Sequence, residues 1–288
     1  MKIFIILAFI WGNAFNALSQ NDSITTKIFS IAELQADLDT LYKWVNETHP
    51  SLYTAVNRQQ ADAFWKTVKR SINRPMTRME FSRIAVPLLT QYKDGHMGLT
   101  PEFDLPEFVQ YKKEGGKLFP LKVMIKKNRI WCVANYLQNG VVVPGDEILA
   151  INGKSAEHIV QELLPVWPAD DDASNEVIVS RLFSFSLWFH YGWGFESAVT
   201  VKKTNGKVSV GLKGLAADEY LEKYFSGNKT WNLDLYPDHN LAVITSGAYN
   251  ASSEKSRRFL DSAFAVIKSS GVQHLAFDIR NNGGGNST

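Results

Sequence analysis

Residues 274–285 read HLAFDIRNNGGG, an apolar strand pattern that passes directly into a turn of three glycines. A second strand pattern, LAVIT, occupies residues 241–245, and the sequence between the two has apolar residues at helical spacing that end at Gly271. A strand, a crossover helix and a strand of this length form a parallel unit. The region from 231 to 288 is therefore predicted to be α/β.

The region from about 30 to 100 is predicted to be helical. Two capping boxes, SIAE at 30–33 and TRME at 77–80, mark helix starts, because each places a carboxylate three residues after a hydroxyl. Pro87, inside the third predicted helix, indicates a kink or an early stop. The apolar faces expected to be buried are Leu34, Leu38, Leu41 and Val45 in the first helix, Ala61, Phe64, Trp65, Val68 and Ile72 in the second, and Phe81, Ile84, Leu88 and Leu89 in the third.

The region from 117 to 214 is predicted to be rich in strands. Residues 118–125 and 129–136 are apolar, β-branched runs. Pro-Gly and Asn-Gly turns bracket one short strand within 144–153, and a hairpin turning at Asn205-Gly206 closes the region. These signals predict a sheet of short antiparallel strands.

Two helices are expected within the same region, one starting at Ser155 and one over about 175–190. The aromatic run FSFSLWFHY at 183–191 fits a buried helix better than a cofactor site, with an apolar peptide groove as the alternative. The three regions predict a mixed α/β fold with a helical N-terminal segment, a β-rich domain and a β-α-β domain.

The N-terminus has the pattern of a secretory signal peptide. Lys2 supplies a positive charge, residues 3–11 form an apolar core, and small residues precede a cleavage point after Ser19. The apolar core is too short to span a bilayer comfortably. We expect a signal peptide over 1–19 and an exported protein, periplasmic or extracellular, with no stable membrane span after its removal. An uncleaved N-terminal anchor is the alternative.

Charge and residue usage exclude several function classes. The 288 residues carry 31 Lys and Arg against 29 Asp and Glu, so the chain has no basic footprint for nucleic acid. Cys132 is the single cysteine and lies in an apolar strand pattern, which predicts an inert buried thiol and no intrachain disulfide. Residues 170–181 partly match a calcium loop, but Asn175 and Arg181 replace its glycine and glutamate, which favours a solvated loop capping the next helix. No histidine spacing suits zinc. We expect no metal and no cofactor.

Three motifs follow one another along the chain: DGH at 94–96, PGDEILAING at 144–153 and DIRNNGGG at 278–285. In this order they resemble the C-terminal processing (tail-specific) serine peptidases, to which the tricorn core also belongs. That family has a D-G-H motif closing a cap region, a PDZ module and a D-x-R-x-N-x-G-G signature. The resemblance implies a cap segment at 30–100, a PDZ-like domain at 117–214 and the start of a protease domain at 231–288.

The resemblance also implies roles for individual residues. Gly284 or Gly285 would supply a backbone donor to the oxyanion hole. In the tricorn-like branch His96 would be the general base, whereas in the other branch a lysine downstream of the nucleophilic serine does that work. His96 could equally brace its own loop. The PDZ-like domain would bind an extended peptide or unfolded protein by strand addition, unless its motif is merely a turn.

The nucleophilic serine of that family lies downstream of the glycine turn, beyond residue 288. Ser287 follows the turn too closely, and we expect neither a Ser-x-x-Lys nor a Gly-x-Ser-x-Gly motif to replace it. We therefore expect the front portion of an exported serine-type peptidase, inactive by itself, with an unfinished domain at 231–288. A catalytically inactive PDZ-like peptide-binding protein is the alternative. A nucleotide-dependent enzyme is a third hypothesis, weakened because a phosphate-binding loop needs lysine where Asn286 stands. The substrate and the oligomeric state are left open.

Overall fold

The chain has a mixed α/β fold that divides into two compact units, Met1–Tyr220 and Leu221–Thr288. The computed structural model describes residues 24–99, 102–138, 140–225, 231–247, 253–280, 282 and 284–285. The predicted signal peptide at 1–19 lies outside these residues. Within the described part of the chain, no helix is long and apolar enough to cross a membrane.

The first unit begins with helices, as the sequence predicts. Both capping boxes are present, because the Ser30 and Thr77 side chains accept backbone N–H groups while Glu33 and Glu80 bond back to the cap residues. A short antiparallel pair, β1 with β2, ties the start of the first helix to the start of the third. The elements are β1 (Ile28–Phe29), α1 (Ile31–Thr48), α2 (Arg58–Ser71), β2 (Met76–Thr77), α3 (Arg78–Thr90) and α4 (Pro106–Lys113).

These helices share a core, against which Leu41, Phe81 and Ile84 of the predicted set pack while only partly buried. Phe64, predicted to be buried, is 37% exposed, since it lies at the margin of the α2 stripe formed by Ala61, Trp65 and Val68. Of the kink or early stop predicted at Pro87, the early stop does not occur, because α3 continues to Thr90. The buried residues of this core are Leu34, Leu38, Val45, Leu52, Ala61, Trp65, Val68, Ile72, Met76, Leu88, Leu89 and Tyr92.

An antiparallel sheet with strand order β4-β5-β6-β8-β9 forms the rest of the first unit. The strand predicted over 118–125 is split, because Phe119 and Pro120 separate β3 from β4, and β3 pairs instead with β10. The predicted hairpin is present as β8 and β9, but its turn is formed by Thr204 and Asn205 instead of Asn205 and Gly206, because Gly206 already pairs with Lys203. The strands are β3 (Lys117–Leu118), β4 (Leu121–Lys126), β5 (Arg129–Asn135), β6 (Glu147–Ile151), β7 (Lys154–Ser155), β8 (Glu196–Lys203), β9 (Gly206–Lys213) and β10 (Leu215–Ala216).

Three helices accompany this sheet: α5 (Ala156–Leu163), α6 (Asp172–Arg181) and α7 (Phe183–Tyr191). The single helix predicted over 175–190 is broken at Leu182, where α6 ends and α7 begins. All seven residues from Phe183 to Phe189 are buried. A helix that is apolar all round belongs in a core, so the prediction that the aromatic run is a buried helix is confirmed.

The second unit is built on a three-stranded sheet of order β11-β12-β13. The predicted parallel pairing is confirmed, since Leu241 to Thr245 pair in register with His274 to Asp278. The sequence analysis did not identify β11, which pairs antiparallel with β12. The elements are α8 (Ala217–Phe225), which begins in the first unit, β11 (Trp231–Tyr236), β12 (Leu241–Ser246), α9 (Ser253–Ser270) and β13 (His274–Asp278).

Candidate active site

His96 lies in the loop that follows α3, with its imidazole open to solvent. The side chain is 99% exposed, and its Nδ1 is 3.6 Å from Oδ1 of Asp94. The backbone N–H of His96 donates to the same oxygen at 2.8 Å, which fixes the turn. An exposed imidazole beside a carboxylate is able to accept a proton from a substrate-side group while the carboxylate stabilises the resulting cation.

Asp94 is itself held from the opposite side by His49, which the sequence analysis did not identify as a site residue. Nε2 of His49 is 2.9 Å from Oδ2 of Asp94, and Nδ1 of His49 accepts the backbone N–H of Ser51 at 3.2 Å. With Nδ1 accepting, the ring proton belongs on Nε2 and is donated to the carboxylate. The His49 bond, followed by the His96 amide, lowers the pKa of Asp94. Asp94 therefore stays ionised between two imidazoles.

The loop carrying His96 is docked on the segment that precedes α6. The backbone N–H of Gly95 donates to Oδ1 of Asp170 at 2.7 Å, and Lys93 pairs with Asp172 at 3.1 Å. Asp171 caps α6, as the sequence predicts, but its neighbour Asp170 is a direct partner of the D-G-H loop. The position of His96 thus depends on a residue 74 positions further along the chain.

The base of the loop is anchored in the helical core. Tyr92 is 2% exposed and its hydroxyl accepts the indole N–H of Trp65 at 3.0 Å. Burial raises the pKa of Tyr92 to about 12, so its hydroxyl is un-ionised at neutral pH and its role is structural. Met97 packs against the same core from the other end of the loop. His96 is therefore an exposed side chain on an anchored backbone.

The glycine turn lies at the carboxyl end of β13, where ligands bind in open α/β sheets. Asp278 accepts the Arg280 guanidinium at 2.6 and 2.9 Å, and this pairing lowers the pKa of Asp278 to about 2. Asn282 donates through Nδ2 to the hydroxyl of Ser246, at the end of β12, at 3.1 Å. The Asp, Arg and Asn of the signature thus shape the turn and attach it to the neighbouring strand.

Gly284 and Gly285, the predicted oxyanion-hole donors, follow Asn282 in the second unit. Gly284 has φ +94°, a conformation that suits glycine, and its N–H donates to Oδ1 of Asn282 at 2.7 Å. Gly284 would have to release Asn282 before it could stabilise an oxyanion, and Gly285 lies in an isolated β-bridge, so both glycines are kept as candidate donors. Gly283 and Ser287 lie outside the described residues.

Two serines matter for the search for a nucleophile. The expectation that no Ser-x-x-Lys motif occurs is wrong, because the sequence contains two such spacings, Ser226 with Lys229 and Ser252 with Lys255. Residues 226–229 and 252 lie outside the described part of the chain. A Ser–Lys pair is a known variant of the serine-protease catalytic centre, so Ser226 and Ser252 are both candidate nucleophiles.

The PDZ-like motif forms β6 and the turns on either side of it. Gly145 has φ +92°, and the Asp146 carboxylate accepts the N–H of Val143 at 2.8 Å and the ammonium of Lys203 at 2.5 Å. The acid of the motif therefore fixes the preceding loop to β8. The motif explains the local structure without itself presenting a ligand group.

The outer edge of β4 is covered by α6. The backbone N–H of Ile125 donates to Oγ of Ser180 at 2.7 Å, and that of Asn128 donates to Oε1 of Glu176 at 3.1 Å. A peptide adding to β4 would have to displace Ser180, whereas Glu176 bonds the turn that follows the strand. Among the described residues, no cluster of three or more His, Cys, Asp or Glu could hold a metal ion.

Comparison with known proteins gives structural neighbours. No family model and no curated protein matches the sequence. Solved structures of CPAF, a chlamydial serine protease, match 89% of this chain. The mature protein and its complex with lactacystin each match at 12% sequence identity and a TM-score of 0.57. A serine-to-alanine mutant matches at 14% identity and a TM-score of 0.60. The chain spans 56–57% of those structures' length. It therefore shares the fold of a serine protease.

Proposed function

We propose that this chain belongs to an exported serine-type peptidase related to the C-terminal processing family, acting on peptides or unfolded proteins through an acyl-enzyme. The observation that carries the proposal is His96, an exposed imidazole beside the ionised Asp94, on a serine-protease-like fold. The D-x-R-x-N-x-G-G turn at the end of β13 supports it by offering backbone donors.

Each group has a role in the proposed reaction. His96 takes the proton of the nucleophilic serine and returns it to the leaving amine, and Asp94 stabilises the imidazolium. Gly285, or Gly284 after releasing Asn282, donates to the tetrahedral oxyanion. The serine comes from sequence beyond residue 288, as the family pattern implies, with Ser226 and Ser252 as the internal alternatives.

The test uses protein expressed from the complete reading frame. His96→Ala is expected to lower kcat about 100- to 10,000-fold on a casein-derived fluorogenic peptide, with KM nearly unchanged, because general-base catalysis acts on the chemical step. His239→Ala, at an exposed histidine in a turn of the second unit, is the matched control and should retain activity. Full turnover in His96→Ala would show that His96 is not the general base and would favour a lysine in that role.

The nucleophile is identified separately. Lactacystin, present in one CPAF complex, is the probe, and mass spectrometry of the labelled protein should locate a covalent adduct on one serine. An adduct on Ser226 or Ser252 would place the reaction centre within these 288 residues. Specific peptide binding with neither turnover nor adduct would instead support the inactive peptide-binding protein.

A further inference from the structure

β9 is an open sheet edge, in contrast to the covered edge of β4. Within the described residues β9 pairs only with β8, through eight consecutive residue pairs without a register shift. Residues 206–209 and Gly211 are exposed. In an antiparallel ladder, half of the N–H and C=O groups of an edge strand point away from its partner. A regular, unkinked edge of this kind is a template for an added strand.

The two faces of β9 differ in chemistry. On the solvent face Lys207 lies directly opposite Lys202 of β8, both exposed, whereas Lys213 at the other end of β9 lies opposite the acidic Glu196. Like charges at directly opposed positions repel. On the core face Val208 is 40% exposed and Val210 is partly buried, which leaves an apolar ledge along the edge.

We propose that β9 binds an extended peptide segment in which acidic and apolar residues alternate, as an additional strand of the sheet. Acidic side chains would neutralise the Lys202 and Lys207 pair on one face, and apolar side chains would cover Val208 and Val210 on the other. This inference rests on the proposed peptide-binding function and names the edge and the peptide chemistry.

A second copy of the chain fits this edge less well than an acidic peptide. In an antiparallel pair of β9 strands centred on Val210, Lys207 of one copy would lie opposite Lys213 of the other, at both ends of the pair. Two further like-charge contacts would then add to the one already present on the solvent face. In other registers these lysines do not meet, but β9 contains no acidic residue in any register, so a second copy of β9 cannot neutralise Lys202 and Lys207 and the charge pattern favours a heterologous acidic strand.

The test measures binding of fluorescein-labelled octapeptides to the chain by fluorescence anisotropy. An alternating Glu-Val peptide should bind at least tenfold more tightly than an alternating Lys-Val peptide, and added salt should reduce the difference. The double variant K202E/K207E should weaken Glu-Val binding at least tenfold. The double variant K66E/K113E, an equal charge change at exposed lysines of α2 and α4, should change affinity less than twofold. Hydrogen exchange should show new protection at 206–213 on binding.

Three outcomes would overturn the inference. Equal affinity for the two peptides would show that the lysines of this edge do not select acidic side chains. Hydrogen-exchange protection confined to 121–126 would show that the peptide binds at the β4 edge, which would refute the β9 site but not the proposed peptide-binding function. A dimer that buries 206–213 in the absence of peptide would assign the edge to a second copy. Peptide hydrolysis by the full-length protein is measured separately, so failure of the peptidase proposal and failure of this inference are distinguishable.

Discussion

Replacing Asp170 by alanine tests how the structure positions the D-G-H loop. The change removes the acceptor of the Gly95 N–H, a bond of 2.7 Å to an ionisable side chain. Because Asp170 and Gly95 are both solvent-exposed, the net contribution of this bond is about 1 kcal/mol, the middle of the range for protein hydrogen bonds. A loss of about 1 kcal/mol corresponds to about fivefold in the opening equilibrium.

Hydrogen exchange of the Gly95 amide is the direct assay, because exchange follows local opening of that bond. We expect about fivefold faster exchange in Asp170→Ala and less than twofold change in Asp170→Asn, whose side-chain oxygen still accepts. The buried amide of Leu38 in α1 serves as the internal reference and should not change. In the full-length protein, kcat should fall in Asp170→Ala while KM holds, since His96 follows Gly95. Unchanged Gly95 exchange in Asp170→Ala would refute the proposed positioning role.

Three further predictions concern stability and reactivity. Gly194→Ala should lower the free energy of unfolding, measured by urea denaturation, by about 3 kcal/mol, because the added Cβ would lie 1.9 Å from a backbone oxygen of β3. Gly211→Ala is the control and should be tolerated, because the nearest atom to its Cβ would be 3.7 Å away. Bonding to Arg74 lowers the pKa of Glu80 from 4.5 to about 2. The ionised Glu80 therefore stabilises the folded state fully above about pH 4.5, and this contribution is lost as the pH falls towards 2. In a Glu80→Gln variant the urea midpoint should fall less steeply over that pH range. Burial raises the pKa of Cys132 to about 11, so a thiol reagent at pH 7 should label it only after denaturation, and rapid labelling of the native protein would contradict its burial.

The sequence predicts those features that depend on neighbouring residues. The capping boxes at 30–33 and 77–80 need only a hydroxyl and a carboxylate three residues apart, and both form. The hairpin of β8 and β9 follows from a short turn between alternating apolar residues. The parallel pairing of β12 and β13 follows from the length of the crossover helix.

Features that depend on the packing of distant residues were missed. The break between α6 and α7 at Leu182 does not interrupt the helical spacing of apolar residues. The hydrophobic periodicity alone therefore predicts one continuous helix. His49 reads only as the last residue before a proline, although it contacts Asp94 45 positions away. Asp170 reads as one acid in a polar loop, although it bonds to Gly95. Only the folded chain brings these pairs together.

The unequal edges of the β4–β9 sheet limit how the protein can associate. Ser180 occupies a backbone donor of β4 and Glu176 one of the turn after it, so only the β9 side accepts a strand without displacing a bonded side chain. Growth of a fibril requires two complementary open edges on every subunit, since each must join a neighbour on either side. Association through this sheet would therefore end once one partner has bound, and α6 would prevent polymerisation.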